Sequence, residues 1–161
     1  MILRIIFSLL IFFSLTSYSN SASSSSDGVS KSNYDKAAKL IKTAKKYESK
    51  GKNEKAKKRY EKALKLLIKS NKEKPNQADT LNYLGFATRK LGNYEEGEKY
   101  YLLGLKIEPD HKGINEYLGE LYVVTNRIEL AKQRLDVLKN CNCEEYEELK
   151  DIIDGNKKSK Y

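Results

Sequence analysis

ADTLNYLGFATRKLGNYEEGEKYYLLGLKIEPDH, residues Ala78–His111, is the stretch that decides the fold. Leu81, Leu84, Gly85, Thr88 and Leu91 recur at helical spacing and form one face of a helix. Asn76 or Asp79 stands where a side chain caps its start. Gly92 follows at the place where a left-handed residue ends a helix. Asn93, with Glu96 three residues on, has the form of a cap for a second helix. That helix presents Tyr94, Gly97, Tyr101, Gly104, Leu105 and Ile107, and Pro109 stops it. Gly97 and Gly104 each cost about 1 kcal/mol of helix propensity relative to Ala, which a close helix–helix contact offsets. The stretch reads as two helices folded back on each other.

The same pattern returns at a step of 34 residues: Leu84, Gly85, Gly92, Tyr94, Gly97 and Tyr101 are answered by Leu118, Gly119, Asn126, Ile128, Ala131 and Leu135. A unit that cannot bury its apolar face alone stacks on its copies, so the expected fold is all-α, a solenoid of about three hairpins. In the third unit, 112–141, Ile114, Tyr117, Leu118, Leu121 and Tyr122 form an amphipathic stripe, Asp110 is placed to cap it, and Asn126 replaces the turn glycine because Asn tolerates the left-handed region. The first unit, about 37–75, is degenerate but keeps Leu40, Thr43-Ala44, Tyr47, Gly51, Ala56, Tyr60 and Ala63. Gly51 to Gly92 is 41 residues, seven more than one repeat. Seven residues are about two helical turns, so the excess reads as a longer helix rather than a loop. Residues 144–154 read as a capping helix with Tyr146, Leu149, Ile152 and Ile153 inward, Asn142 and Glu145 as its cap, and Gly155 as its end.

The domain thus spans 34–155. Before it, residues 1–21 have the parts of a secretory signal: Arg4, the apolar run Ile5–Leu15, then small residues around Ser17–Ser21. The run is 11 residues, short of a membrane span, although an uncleaved anchor is the competing reading. Residues 22–33 are Ser-rich and polar, a linker that cannot bury enough surface to offset the entropy of ordering it. Residues 156–161 form a basic tail.

The net charge of +9 is unevenly spread. Residues 31–74 hold 17 Lys/Arg against 5 Asp/Glu, whereas 75–161 hold 13 against 16. Two readings stand: a basic end that attracts an anionic envelope lipid or polymer, and a solvated face made of a good helix former.

Leu81, Leu84-Gly85, Gly92, Tyr94, Gly97, Tyr101, Gly104 and Pro109 together resemble the tetratricopeptide repeat, with Thr88 departing from the usual aromatic. The resemblance implies a groove lined by the first helix of each hairpin. Carried over, the lining is Lys45 with Ile41 and Glu48, then Asn82, Phe86, Arg89 and Lys90, then Glu116, Glu120 and Val123. Phe86 stands off the packing stripe as a candidate anchor, and Arg89 and Lys90 are suited to carboxylate or phosphate; the bland reading is that these residues solvate the groove. The carboxylate clamp of some family members is not expected, because its positions hold Ile41, Lys45, Tyr83, Gly113 and Glu116. The implied function is binding of an unknown protein or peptide, with no cofactor and no metal.

Cys141 and Cys143 admit a local disulfide, a redox-active or intermolecular thiol pair, or, least of all with His111 the sole histidine, a metal site. The tail CxCEEYxxL is similar to the cysteine-bearing ends of some exported bacterial tetratricopeptide proteins. No phosphate loop and no nucleophile–base–orienter set can be assembled, so an enzyme is not expected. Nucleic-acid binding is disfavoured, because Tyr47 and Tyr60, which interleave with the lysines, fall on packing positions.

Overall fold

The computed structural model describes residues 31–159. The signal segment 1–21, all of the linker before Lys31 and the last two tail residues lie outside the described residues. Among the described residues seven α-helices run in order: α1 Asn33–Glu48, α2 Asn53–Glu73, α3 Ala78–Lys90, α4 Tyr94–Ile107, α5 Lys112–Val124, α6 Ile128–Leu138 and α7 Glu144–Ile153. They pair as hairpins α1–α2, α3–α4 and α5–α6, each packed on the next, and α7 closes the stack against α5 and α6.

Helix ends follow the local chemistry. Ser32 and Asp35 form a reciprocal capping box, so α1 starts one residue before the expected domain boundary of 34. Asn93 Oδ1 accepts from the Glu96 amide at 3.3 Å, as its spacing suggests. The expected caps of α3, α5 and α7 are corrected: α3 begins without a side-chain cap, so Asp79 does not serve it. Asn76 and Asn142 do not cap: both take positive φ, 59° and 46°, and serve as left-handed turn residues. Asp110 gives way to His111, whose Nδ1 accepts from the Ile114 amide at 3.2 Å while Nε2 faces Asp79 Oδ1 at 3.2 Å. Gly92 and Asn126 take the left-handed turns expected of them. α2 is 21 residues long against 14 for α4, so the seven extra residues are helix.

The core is built from small residues facing large ones. Ala37, Ile41, Ala44, Ala56, Tyr60, Ala63 and Leu67 pack with Leu81, Leu84, Phe86 and Ala87 of α3. A second cluster joins Tyr101 to Ile114, Leu118, Leu121, Tyr122 and Ala131. A Cβ at Gly85 would stand 2.6 Å from the Tyr101 ring, so the α3–α4 crossing requires glycine there. Arg127 ties the second and third hairpins through paired bonds to Glu98 at 2.9 and 2.7 Å. α1 and α2 each bury one stripe, whereas α3 and α5, packed on both sides, are buried over most of their surface; α1, α3 and α5 share a face, where the two clefts described below lie.

Candidate functional site

α1, α3 and α5 bring Lys45, Phe86, Arg89, Lys90, Glu116 and Glu120 to one cleft of about 700 Å³. Glu48 and Tyr117 complete its walls. Asn82 is not part of it. It lines a neighbouring cleft of about 530 Å³ between the N-terminal halves of α3 and α5, which Glu116 and Tyr117 share.

Phe86 is corrected from an anchor off the packing stripe to a core residue, only 4% exposed. Helical geometry places it between Tyr60, centroid distance 5.9 Å, and Tyr117 at 4.8 Å. Lys45 lies over it: Nζ is 4.5 Å from the Phe86 centroid and 4.9 Å from that of Tyr117, and it donates to the Tyr117 hydroxyl at 2.8 Å. The apolar floor is therefore covered by a cation held on ring faces.

Arg89 is likewise corrected. Its side chain is fully buried, and its guanidinium donates to the Tyr117 carbonyl and faces Glu120 Oε2 at 3.5 Å. It also lies over the Phe86, Tyr117 and Tyr101 rings at 5.5, 5.5 and 5.7 Å. A guanidinium so engaged holds α3 to α5 and is not presented to a ligand. Lys90 pairs with Glu48 Oε1 at 2.7 Å, and Glu48 Oε2 accepts from the Tyr60 hydroxyl at 2.8 Å.

Glu116 sits near the middle of this network. Burial, and then the neighbouring Glu120 carboxylate, push its pKa up to about 8; Lys45 pulls the other way, and Glu145 and Glu148 add to the rise. Burial, followed by the Glu116 charge, also pushes the Tyr117 hydroxyl up.

The second cleft is lined by Asp79, Glu108, Asp110, Glu116 and Glu145, with Lys112 and His111 as its basic groups. Asn82 is 7% exposed, and its Oδ1 is buried with no hydrogen-bond donor. That carboxamide, lined up with carboxylates, is an acceptor surface. Sequence reasoning missed Tyr117, assigned to packing alone, and it missed the acidic rim, whose members come from the ends of α3, α4, α5 and α7. Spacing within a single helix does not reveal such a gathering.

Cys141 and Cys143 flank Asn142 just before α7 and are joined by a disulfide with Cα atoms 5.2 Å apart. Among the described residues no group of three or more His, Cys, Asp or Glu is placed to hold a metal ion, and no helix is long and apolar enough to cross a membrane.

No curated protein sequence matches the chain. Residues 78–111 match the tetratricopeptide repeat family. Among solved structures the chain is similar to the first TPR of Spaghetti (RPAP3) bound to the HSP90 peptide SRMEEVD, at 20% identity over 78% of this chain and 96% of that one, TM-score 0.53. The first TPR domain of human RPAP3 is similar at 20% identity over 75% and 92%, TM-score 0.55. The Yersinia enterocolitica type III secretion translocator chaperone SycD is similar at 18% identity over 80% and 92%, TM-score 0.54. Residues 78–111 are therefore a tetratricopeptide repeat, and the helices around them have the fold of tetratricopeptide-repeat domains.

Proposed function

We propose that this chain is an exported adaptor that holds an extended peptide segment of a partner protein across α1, α3 and α5, with a basic side chain of that segment in the α3–α5 cleft. The fold supports interaction as the class of function, since its structural neighbours include a peptide-bound domain and a chaperone. The observation that carries the peptide's chemistry is the Asn82 carbonyl, buried without a donor in a cleft with five carboxylates on its walls. Such a surface takes N–H donors and cations. It is the opposite of what the SRMEEVD peptide of the neighbouring structure would require, with its two glutamates and terminal aspartate. Export is supported by the signal-like residues 1–21 and by the Cys141–Cys143 bridge, which suits an oxidising compartment.

An array of heptapeptides bearing lysine, glutamate or neither tests this. Wild type is expected to retain the lysine peptides, and Asp110→Lys with Glu145→Lys to weaken them about tenfold or more. Equal retention of acidic and basic peptides would refute the reading. Export is checked by N-terminal sequencing of the protein recovered outside the cytoplasm, expected to begin at Asn20 or Ala22. A start at Met1 would refute it.

A further inference from the structure

The first hairpin carries a second surface, on the side of α1 and α2 away from the core. On α2, Lys55, Lys58, Lys62, Lys65, Lys69 and Lys72 follow one another at alternating steps of three and four, and all are exposed. That is the spacing of a single stripe, opposite the buried Ala56, Tyr60, Ala63 and Leu67. On α1, Lys36, Lys39, Lys42 and Lys46 repeat the arrangement opposite Ala37, Ile41 and Ala44. Among the described residues none of these ammonium groups is in an ion pair. Where α2 borders α1, the shallow depression holding Lys55, Lys58, Arg59, Lys62 and Lys65 has Glu61 as its one carboxylate. The α2 stripe runs for about 26 Å.

A surface that needed only solubility would interleave both signs. The far end of the stack does so: on α7, Lys150 pairs with Asp154 at 2.6 Å, and Lys157 beyond it pairs with Glu148. Like charges three and four residues apart repel along both helices of the first hairpin, and in the α2 depression Glu61 is the single carboxylate set against five cations.

We propose that this lysine face docks on a bilayer of anionic lipid, independently of the groove. Lysine is a compact point charge without the fork of arginine, so a lysine stripe answers a diffuse negative field rather than reading one phosphate. The face lacks the row of rings on which successive bases stack: Tyr60 is 1% exposed in the core, and Tyr47, half-buried at the edge of the depression, is the one ring in its lining.

The test is vesicle co-sedimentation of the full chain with phosphatidylcholine alone and with about a third phosphatidylglycerol. Two triple variants of equal net charge are compared: Lys58→Glu, Lys62→Glu, Lys65→Glu on the stripe, and Lys106→Glu, Lys139→Glu, Lys158→Glu elsewhere, each checked for helicity. Wild type is expected to bind only the anionic vesicles and to be released at about 0.5 M salt. The stripe variant should bind about a hundredfold more weakly or worse, and the other variant within about tenfold of wild type. Equal losses in the two variants would overturn the proposal. So would undiminished binding to neutral vesicles. So would a stripe variant that keeps its vesicle binding but loses self-association or binding to a DNA oligonucleotide.

Discussion

The first and second hairpins are the same device with opposite polarity at one position. Ala44, Glu48, Ala56 and Tyr60 of the first stand 41 residues before Gly85, Arg89, Gly97 and Tyr101 of the second. Where the first hairpin has Ala44, the second has Gly85 with the Tyr101 ring against it, and Tyr101 is wholly buried. Where the first has the Glu48 carboxylate, which accepts from the Tyr60 hydroxyl, the second has the Arg89 guanidinium, which lies over the Tyr101 ring. The Tyr101 hydroxyl is left buried without a partner. The Glu48 carboxylate divides its two oxygens between the Tyr60 hydroxyl of its own hairpin and Lys90 of the second, whereas the Arg89 guanidinium, all donors, leaves its own tyrosine hydroxyl and reaches across to the Tyr117 carbonyl and Glu120 of the third. The two hairpins teach that a repeat's packing positions set its shape, while one polar position sets whether the hairpin's own tyrosine hydroxyl is served as well as the neighbouring hairpin.

The largest test of that contrast is truncation at the paired position. Arg89→Ala leaves Glu120 buried without its guanidinium, and is expected to cost about 3–5 kcal/mol in urea unfolding. Glu48→Ala removes a partly exposed acceptor and takes the carboxylate from Lys90, and should cost less, about 1.5–3 kcal/mol. Equal costs would mean that Arg89 does not join hairpins in the way described. The glycine contrast comes next. Gly85→Ala drives a methyl into the Tyr101 ring, and the overpacking outweighs the gain in helix propensity, for a net loss of about 2 kcal/mol. Ala44→Gly, the reverse exchange, should lose about 1 kcal/mol through propensity alone. A stabilised Gly85→Ala would show that the ring has room to move.

The shared frame of the hairpins was legible from the sequence, because a stripe of Leu81, Leu84 and Tyr101 and the turn at Gly92 are local patterns. The polar position was not. A helical wheel puts Arg89 and Glu120 at the groove, and both do border the cleft; that they are buried there depends on a pairing across 31 residues, which no local pattern contains. Phe86 misled for a related reason: it lies off the stripe that meets α4, but on the side that meets Tyr60 and Tyr117. Asn was ambiguous by nature. Its side chain suits a cap and its backbone suits positive φ, so Asn93 and Asn126 were placed correctly while Asn76 and Asn142, read as caps, are turn residues.

A pH series reads the third hairpin's side of the same network. The Glu116 pKa is raised from 4.5 to about 8, so between those values the folded chain holds a proton that the unfolded chain has released. Stability from this group is therefore fully present at about pH 4.5 and lost as pH rises through about 8. Over that span wild type should lose on the order of 1–2 kcal/mol more than Glu116→Gln, measured by urea midpoints at each pH. The same proton should leave when a basic peptide enters the cleft, so binding heats at pH 7 should vary with the ionisation enthalpy of the buffer. Parallel stability curves for the two proteins would remove Glu116 from the network.

The smallest effect bears most directly on why the two hairpins differ. Tyr60→Phe deletes a hydroxyl that donates to Glu48, leaving that carboxylate short of one partner, and should cost about 1 kcal/mol. Tyr101→Phe deletes a buried hydroxyl that has no partner, so removing it relieves a desolvation penalty without opening a cavity. It should be neutral or stabilising by about 0.5 kcal/mol. The two changes are chemically identical and stand at equivalent places, so the sign of their difference isolates the group facing each ring. If Tyr101→Phe were the more costly, the Arg89 side chain would have to be serving its hydroxyl as a donor in solution, and the guanidinium would bind its own hairpin after all.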